Sequence, residues 1–473
     1  MDALGSEGNP LRAAVVGSGP SGFYAAEALL KSGRAVRVDM IERLPAPYGL
    51  VRYGVAPDHP KLKEPILVYS QIARLPHFSL LANVVVGRDV SVAELRAHYH
   101  AVVFACGAET DRHLDIPGED LPGSHTATEF VAWYNGHPDY RDRSFDLSQE
   151  VAVIVGQGNV AADVARILAK SVDELRSTDI ARHALEALSA SRVRDIHVIG
   201  RRGPAQAKFT NKELKELGEL ANCDAVVDPR DLELNPASLA EIEAKANFVS
   251  AKNVEILRQF ASQSATGKPR RLFFHFLKSP RALAGVGRLE QVTLARNRLD
   301  GEPFKQVAEE TGQTEVLRSG LLFRSIGYSG VPIPGVPFDA RRGLFPTRDG
   351  RVVDGAGGAI EGLYAAGWIK RGPTGIIGTN RADAVSTVKA LLADVPQFAP
   401  EAKRGTDGLQ ALLSARGVRT VSVDDWLKID ALEVARGQSD GKPREKFTRV
   451  AEMLQCLDAP SMAVAAGQEE VRG

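Results

Sequence analysis

The chain has 473 residues, more than one hydrophobic core usually serves, so two domains are expected. Lys plus Arg equals Asp plus Glu at 59 each, which leaves no global field to recruit nucleic acid. Hydrophobic residues make up 44% and charged residues 25%, as in globular proteins, and no apolar run approaches the length of a membrane span. Oligomeric state stays open, with a monomer favoured.

Residues 1–10 are polar and glycine-rich, and an apolar strand follows at once. That leaves no room for a signal or transit peptide, so the chain as given reads as cytoplasmic. The run Ala13-Ala14-Val15-Val16 leads into Gly17-Ser18-Gly19-Pro20-Ser21-Gly22 and then the helix-like stretch from Phe23 to Leu30. Strand, tight turn and helix form the context in which such glycines cradle a pyrophosphate. The first allows the turn, the second lets backbone approach the phosphates, and the third keeps helix against strand. The predicted strand Val36 to Glu42 ends on an acid about 20 residues past Gly22. A carboxylate there accepts from ribose hydroxyls and repels a 2′-phosphate, which suits FAD or NAD.

The run Ala101 to Gly107 reads as a buried strand ending on small residues, close under a nucleotide. The Pro/Gly-rich stretch from Ile116 to Gly123 is expected to cross between domains. A second strand–loop–helix unit follows: Val151 to Val155, then Gly156-Gln157-Gly158-Asn159-Val160-Ala161, then Asp163 to Leu168. Two such loops imply two dinucleotides, and hence an electron-transfer enzyme. Here the next strand, Ile196 to Gly200, ends on Arg201 and Arg202. Paired guanidiniums match a 2′-phosphate, the group that separates NADP from NAD. Taken alone they could equally be solvated strand-end charges, but beside a flavin-type loop the NADP reading is favoured. Arg201 lies about 40 residues past Ala161, so a long connection is expected near 170–192.

A helix is predicted from Asn211 to Leu220 and a strand from Arg271 to Leu277. The run Gly320 to Gly327 repeats the strand-then-small-residue pattern of 101–107 and returns the chain to the first domain; Val331 to Pro337 is a connector. A third such strand, Leu363 to Ala366, enters Gly367-Trp368-Ile369-Lys370-Arg371-Gly372-Pro373-Thr374-Gly375. The expected fold is α/β, with two Rossmann-like, three-layer dinucleotide-binding domains, the second inserted into a discontinuous first. The divisions fall at 1–108, 109–325 and 326–473. The last 75 or so residues show helical periodicity and no recognisable chemistry.

Cys106, Cys223 and Cys456 are far apart in sequence and form no C-x-x-C pair. A redox disulfide needs two adjacent thiols, and an intrinsic iron–sulfur centre needs a cysteine cluster. Neither is visible, and no metal site is expected. Electrons are therefore expected to leave a flavin directly for an acceptor outside the chain.

Several blocks carry a resemblance to a known family. They include Gly17 to Phe23, Tyr48-Gly49-Leu50-Val51-Arg52, Gly54-Val55-Ala56-Pro57-Asp58-His59-Pro60, and Gly156 to Leu168. Gly200-Arg201-Arg202-Gly203-Pro204 and Gly367 to Gly375 complete the set, in order from residue 13 to about 387. The chain resembles the adrenodoxin-reductase-like NADPH–ferredoxin reductases, above all the bacterial type: FAD enzymes that feed electrons to ferredoxin-type iron–sulfur proteins. Trp426 to Asp430 and Gly441 to Arg444 are also similar. The resemblance implies FAD contacts at Ser21, Glu42, Leu50, Val86, Trp368 and the Gly375-Ile376-Ile377 turn, beside the loop glycines Gly17, Gly19 and Gly22 read from spacing. It implies NADP contacts at Arg112, Gln157, Gly158, Asn159, Val160, Arg201, Arg202, Glu213 and Gly375. Gly22 stands where relatives often carry Ala, a mild departure. Gln157 alternates with Asn among relatives.

Individual residues admit plainer roles. Thr210-Asn211-Lys212-Glu213 fits an S/T-x-x-E capping box, whereas the resemblance puts Glu213 beside the nicotinamide. His59, in a proline-flanked loop, could be a turn residue; the resemblance puts it near the flavin, in a supporting role of orientation or proton handling. Trp368 could be plain core, but its glycine-rich turn favours a surface stacked on a cofactor ring. Gly375 suits the same place, where a side chain would block nicotinamide from flavin. Lys208, Lys212, Lys215, Arg270 and Arg271 could form a docking face for an acidic ferredoxin or a merely solvated face. The expected activity is FAD-dependent NADPH–ferredoxin reduction. The alternatives are a flavin-dependent NADPH oxidase or quinone reductase on the same scaffold, and a non-catalytic nucleotide-sensing module.

Overall fold

The computed structural model describes residues 2–375 and 377–458. Two parallel sheets organise them. A seven-stranded sheet takes, in spatial order, Thr347–Arg348, Arg351–Val353, Ala359–Ala365, Ala101–Phe104, Leu11–Val16, Val36–Glu42 and Phe78–Ala82. Its five long strands run parallel, and only the 347–353 hairpin is antiparallel. A six-stranded, all-parallel sheet takes Ser124–Thr126, Leu321–Arg324, Val151–Val155, Asp195–Ile199, Arg270–His275 and Cys223–Val227. The first sheet thus draws strands from both ends of the chain, and the second from the residues between. The strand Ala101–Phe104 is buried along its whole length because parallel strands are covered on both faces, which explains its unbroken apolar sequence.

Register brings both candidate loops to the carboxyl ends of their sheets. Val16 pairs with Ile41 and Phe104, so Gly17, Glu42 and Ala105 stand side by side. Val155 pairs with Ile199 and Arg324, which sets Gly156, Gly200 and Ser325 level. The carboxyl edge is where open α/β sheets take ligands.

Where the chain passes between the two sheets, Thr110–Asp111 pairs antiparallel with Tyr328–Ser329. The stretch from Ile116 to Gly123, expected to be the crossing, instead packs on a three-stranded antiparallel sheet formed by Lys278–Ala284, Gln291–Asp300 and Val307–Arg318. Leu283 N donates to Pro117 O and Leu289 N to Pro122 O, each at 2.8 Å, and Ile116 and Leu121 join that sheet's apolar cluster. Prolines and glycines serve there for a close backbone approach: Gly118 has φ +80, and a Cβ would lie 2.0 Å from Leu283 O.

The long connection expected near 170–192 holds the short helices Val172–Leu175 and Arg182–Ser189. After residue 395 come helices Gly405–Ala415, Val423–Ser439 and Val450–Gln455. Trp426, Ile429 and Met453 from these helices enter the core of the seven-stranded sheet beside Phe23 and Tyr48. Trp426 Nε1 donates to Tyr48 Oη at 3.2 Å.

Candidate functional site

Each glycine loop opens a helix that no side chain caps. Pro20–Leu30 begins behind Gly19 and Asn159–Ala169 behind Gly158, both in extended backbone. Uncapped first-turn N–H groups form a ready site for anionic phosphates. The glycines divide the work as spacing predicts. Gly17 has φ +102, and a Cβ there would lie 2.6 Å from Ala105 O; Gly156 has φ +137, with Ser325 O at 2.1 Å. Gly19 and Gly158 face open space, with nothing within 4 Å of where a Cβ would sit, so a pyrophosphate has room to approach. Gly22 is tighter than its family variation implies: a Cβ would stand 2.0 Å from Gly17 O, so alanine requires the loop to shift. At that third position in the second loop Ala161 is fully buried.

Glu42 Oε2 accepts from Ser18 N at 3.0 Å and Ser18 Oγ at 2.6 Å, and Oε1 accepts from Leu44 N at 3.0 Å. The carboxylate braces the first loop and keeps lone pairs for further donors. Arg201 is exposed and Arg202 half-buried. Among the described residues neither guanidinium has a carboxylate within 4.0 Å. Burial and its neighbour Arg201 lower Arg202, against the pull of Glu241. Two adjacent, uncompensated guanidiniums suit an anion. Gln157 Nε2 donates to His275 O at 2.9 Å, and Asn159 Oδ1 accepts from Thr210 N at 2.8 Å. Val160 packs on the core below.

The glycine–tryptophan block lies beside the first loop because its strand, Ala359–Ala365, neighbours Ala101–Phe104. Ser21 Oγ donates to Asn380 Oδ1 at 3.1 Å, and Arg371 Nη2 donates to the same oxygen at 2.7 Å. Gly367 N donates to Asp383 at 2.5 Å. Trp368 lies 5.5 Å from the Tyr328 ring, and its indole Nε1 is buried without a hydrogen-bond partner. An orphaned buried donor beside an open glycine loop fits a missing polar ring. Gly375 has φ +83, and Ile377 opens helix Ile377–Asp394; Ile376 lies outside the described residues. Leu50 is exposed on the short helix Gly49–Tyr53, and Val86 packs on the apolar layer under the sheet. Arg112 is exposed at the crossing, its N–H donating to Gly327 O at 3.0 Å.

His59 and Glu213 meet in a cluster whose hub sequence reading missed. Arg166 is the largest fully buried side chain, 2% exposed. It grips Asp58 through Nε (2.7 Å) and Nη2 (3.1 Å), Glu213 through Nη1 (3.0 Å) and Asp163 through Nη2 (2.6 Å). Its Nη2 also lies 3.3 Å from His59 Nδ1. Lys170 Nζ adds a contact to Asp58 at 2.8 Å. His59 Nε2 lies 2.8 Å from Glu216 Oε2, and His59 Nδ1 lies 3.5 Å from Glu213 Oε1. Burial pushes Asp163 up to about 6 despite Arg166. Burial acts on Asp58 too, but Arg166 and Lys170 outweigh it and hold that carboxyl well below the usual range.

The capping-box expectation for Glu213 is half right. Thr210 Oγ1 accepts from Glu213 N at 3.4 Å, but the Glu213 carboxylate turns to Arg166 rather than to the cap. A buried guanidinium offers a carboxylate a charge-assisted bond that a backbone amide cannot match. The supposed docking cations are mostly engaged. Lys212 pairs with Glu216 (3.7 Å), Lys215 with Glu219 (3.2 Å) and Arg271 with Asp195 (2.6 Å), while Arg270 donates to Val193 O and Ala169 O. Cys106, Cys223 and Cys456 are free thiols.

Comparison with known proteins agrees with this geometry. Residues 11–197 match the pyridine nucleotide-disulphide oxidoreductase family. The chain is 44% identical over 450 residues to the NADPH-ferredoxin reductase FprA of Mycobacterium leprae, covering 93% of this chain and 97% of that protein. It is 45% identical over 459 residues to the human mitochondrial NADPH:adrenodoxin oxidoreductase, covering 94% and 91%. The structure of Mycobacterium tuberculosis FprA in complex with NADPH superposes with a TM-score of 0.88 at 44% identity, covering 95% of this chain and 100% of that one.

Proposed function

The chain belongs to the NADPH–ferredoxin and NADPH:adrenodoxin reductase family, oxidoreductases that use FAD and NADP(H), and we propose how its own residues divide the work. The enzyme passes electrons from NADPH through FAD to a ferredoxin-type iron–sulfur protein. One observation carries the division of labour. The first loop stands beside a carboxylate, Glu42, and the second beside two guanidiniums that have no carboxylate within 4.0 Å among the described residues.

In this reading Gly17, Gly19, Ser21 and Gly22 cradle the FAD pyrophosphate, and Glu42 accepts from its ribose. Leu50, Val86, Trp368, Ile376 and Ile377 bound the same dinucleotide. Gln157, Gly158, Asn159 and Val160 cradle the NADP pyrophosphate, Arg201 and Arg202 hold its 2′-phosphate, and Arg112 and Gly375 complete the site. The flavin, when bound, turns a hydride into electrons that leave one at a time. The protein supplies close approach and orientation. His59 and Glu213 stand where the two nucleotides meet. Each turnover leaves the proton of the transferred hydride behind. His59 Nε2, hydrogen-bonded to the 28% exposed Glu216, is placed to hold it on the way to water.

The reading divides the chain at 1–108, 109–325 and 326–473, and takes it as a monomer because each loop is complete within one chain. It places the enzyme in the cytoplasm, whose reducing conditions keep separate cysteines as thiols. No described helix is long and apolar enough to cross a membrane. The test is anaerobic titration of the flavin-loaded protein with NADPH and, separately, NADH. Flavin bleaching at much lower NADPH than NADH is expected. Equal response to both would remove Arg201 and Arg202 from the 2′-phosphate site.

A further inference from the structure

Two ionic clusters join the halves of the molecule. The one around Arg166 lies in the candidate site, and the other is centred on Asp179. Asp179, in the connection ahead of strand Asp195–Ile199, accepts from Lys63 Nζ at 2.7 Å on each oxygen. It also accepts from Lys446 Nζ at 2.8 Å, and its backbone carbonyl accepts from the same ammonium at 3.1 Å. Lys446 is only 2% exposed. The contacts continue along the chain. Lys442 Nζ donates to Ile180 O at 2.6 Å and pairs with Glu445, whose other oxygen accepts from Arg182 N at 3.1 Å.

The same C-terminal segment also grips the first domain. Glu433, fully buried, accepts from Arg52 Nη2 at 2.5 Å and from Phe447 N at 2.9 Å. Arg52 lies between aromatic faces, 5.0 Å from the centroids of both Tyr53 and Trp426. Burying charges this way is costly, and apolar residues often serve stability as well or better. Burial lowers Lys63 and brings Lys446 down to about 7, because an ammonium removed from water favours its neutral form. Such an arrangement calls for a role in geometry.

The geometry lies in what Arg52 and Lys63 bracket. Arg52 sits at the end of helix Gly49–Tyr53, and Lys63 closes the turn Pro60–Lys63. Between them run Asp58 and His59, whose backbone support is local: Val55 N to Leu50 O at 2.8 Å and His59 N to Ala56 O at 3.1 Å. We propose that Asp179 and Glu433 are positioning residues, which fix the two ends of the Arg52–Lys63 segment and so present the His59 imidazole to Glu213 and Glu216. This rests on the supporting role given to His59 above. It also assigns a task to the C-terminal segment 433–447, which sequence reading left without one. A catalytic group held by such a frame is already ordered when substrate arrives, and small displacements of it are expensive.

The test uses the full-length, flavin-loaded enzyme carrying Lys63→Met or Asp179→Asn. Lys63→Met leaves Asp179 and Lys446 as a balanced pair, so this variant folds even if Asp179→Asn does not. Amide exchange over 54–63 is expected to rise about tenfold or more, with strands Leu11–Val16 and Val151–Val155 unchanged. Flavin reduction at saturating NADPH is expected to fall about tenfold, with KM for NADPH held within about twofold. Lys63→Arg should recover part of both effects. Wild-type exchange over 54–63 in Lys63→Met overturns the clamp, and faster exchange with an unchanged rate overturns its positioning role. A wild-type rate in His59→Gln would instead remove the reading of His59 on which the proposal rests.

Discussion

The two glycine loops share a backbone and differ in what stands at the end of the neighbouring strand. Glu42 is already engaged by Ser18 and Leu44, so the first loop carries its own anionic brace. Arg201 and Arg202 have no carboxylate within ion-pair reach among the described residues, so the second loop keeps cations uncommitted. Glycines make room for a pyrophosphate, and the strand end selects what hangs from it. The comparison also separates rigidity from recognition. The first loop is tied to the Gly367–Gly375 block through Ser21, Asn380 and Arg371, as suits a group that stays bound. The second ends on guanidiniums unpaired among the described residues, as suits one that comes and goes.

The largest break comes from the turn itself. Gly17→Val places a branched side chain at φ +102 against Ala105 O, and the variant is expected to purify without flavin. Its absorbance spectrum checks this, and a yellow protein would contradict it. Arg201→Ala with Arg202→Ala should raise KM for NADPH about 100-fold, some 3 kcal/mol spread over two charge-assisted contacts. KM for NADH should hardly move, so steady-state kinetics with both nucleotides decides the assignment. Glu42→Gln sharpens the comparison from the other side. It keeps an acceptor but loses the charge, and FAD affinity should weaken about tenfold, read by the flavin released on dilution.

The smallest effect concerns Asp163, on the helix that opens behind the second loop. Burial raises it from its ordinary 3.8 to about 6, so the folded protein holds its proton longer than the unfolded chain. Stability from this group is therefore lost as pH climbs from about 4 through 6, and its full cost is felt above 6. Asp163→Asn should raise the thermal midpoint above pH 6 by about 2–4 °C and leave it unchanged near pH 4. A lower midpoint at pH 7 would mean that the pair with Arg166 outweighs burial.

The two strand–loop–helix units and the charges at the neighbouring strand ends were legible because their signals are local: glycine spacing, strand ends and a helix start. Arg166 was not. Its i,i+3 spacing to Asp163 is visible in sequence, but Asp58 and Glu213 reach it from positions 108 and 47 residues away. Glu213 shows how a local signal misleads, because the S/T-x-x-E pattern is the same whether the glutamate turns to the cap or to a buried guanidinium. The Ile116–Gly123 stretch misled likewise. Proline and glycine mark turns and close contacts alike, and only the sheet beneath them distinguishes the two.

By itself the sequence determined two strand–loop–helix units, opposite charges behind them, and no disulfide route for electrons. These depend on residue type and spacing, which chain connectivity transmits directly. The tertiary structure decided which distant charges share a site: Arg166 among Asp58, Asp163 and Glu213, and Asp179 between Lys63 and Lys446. Ion pairing acts over a few ångströms regardless of sequence separation, so its partners are set only once both sheets are formed and packed.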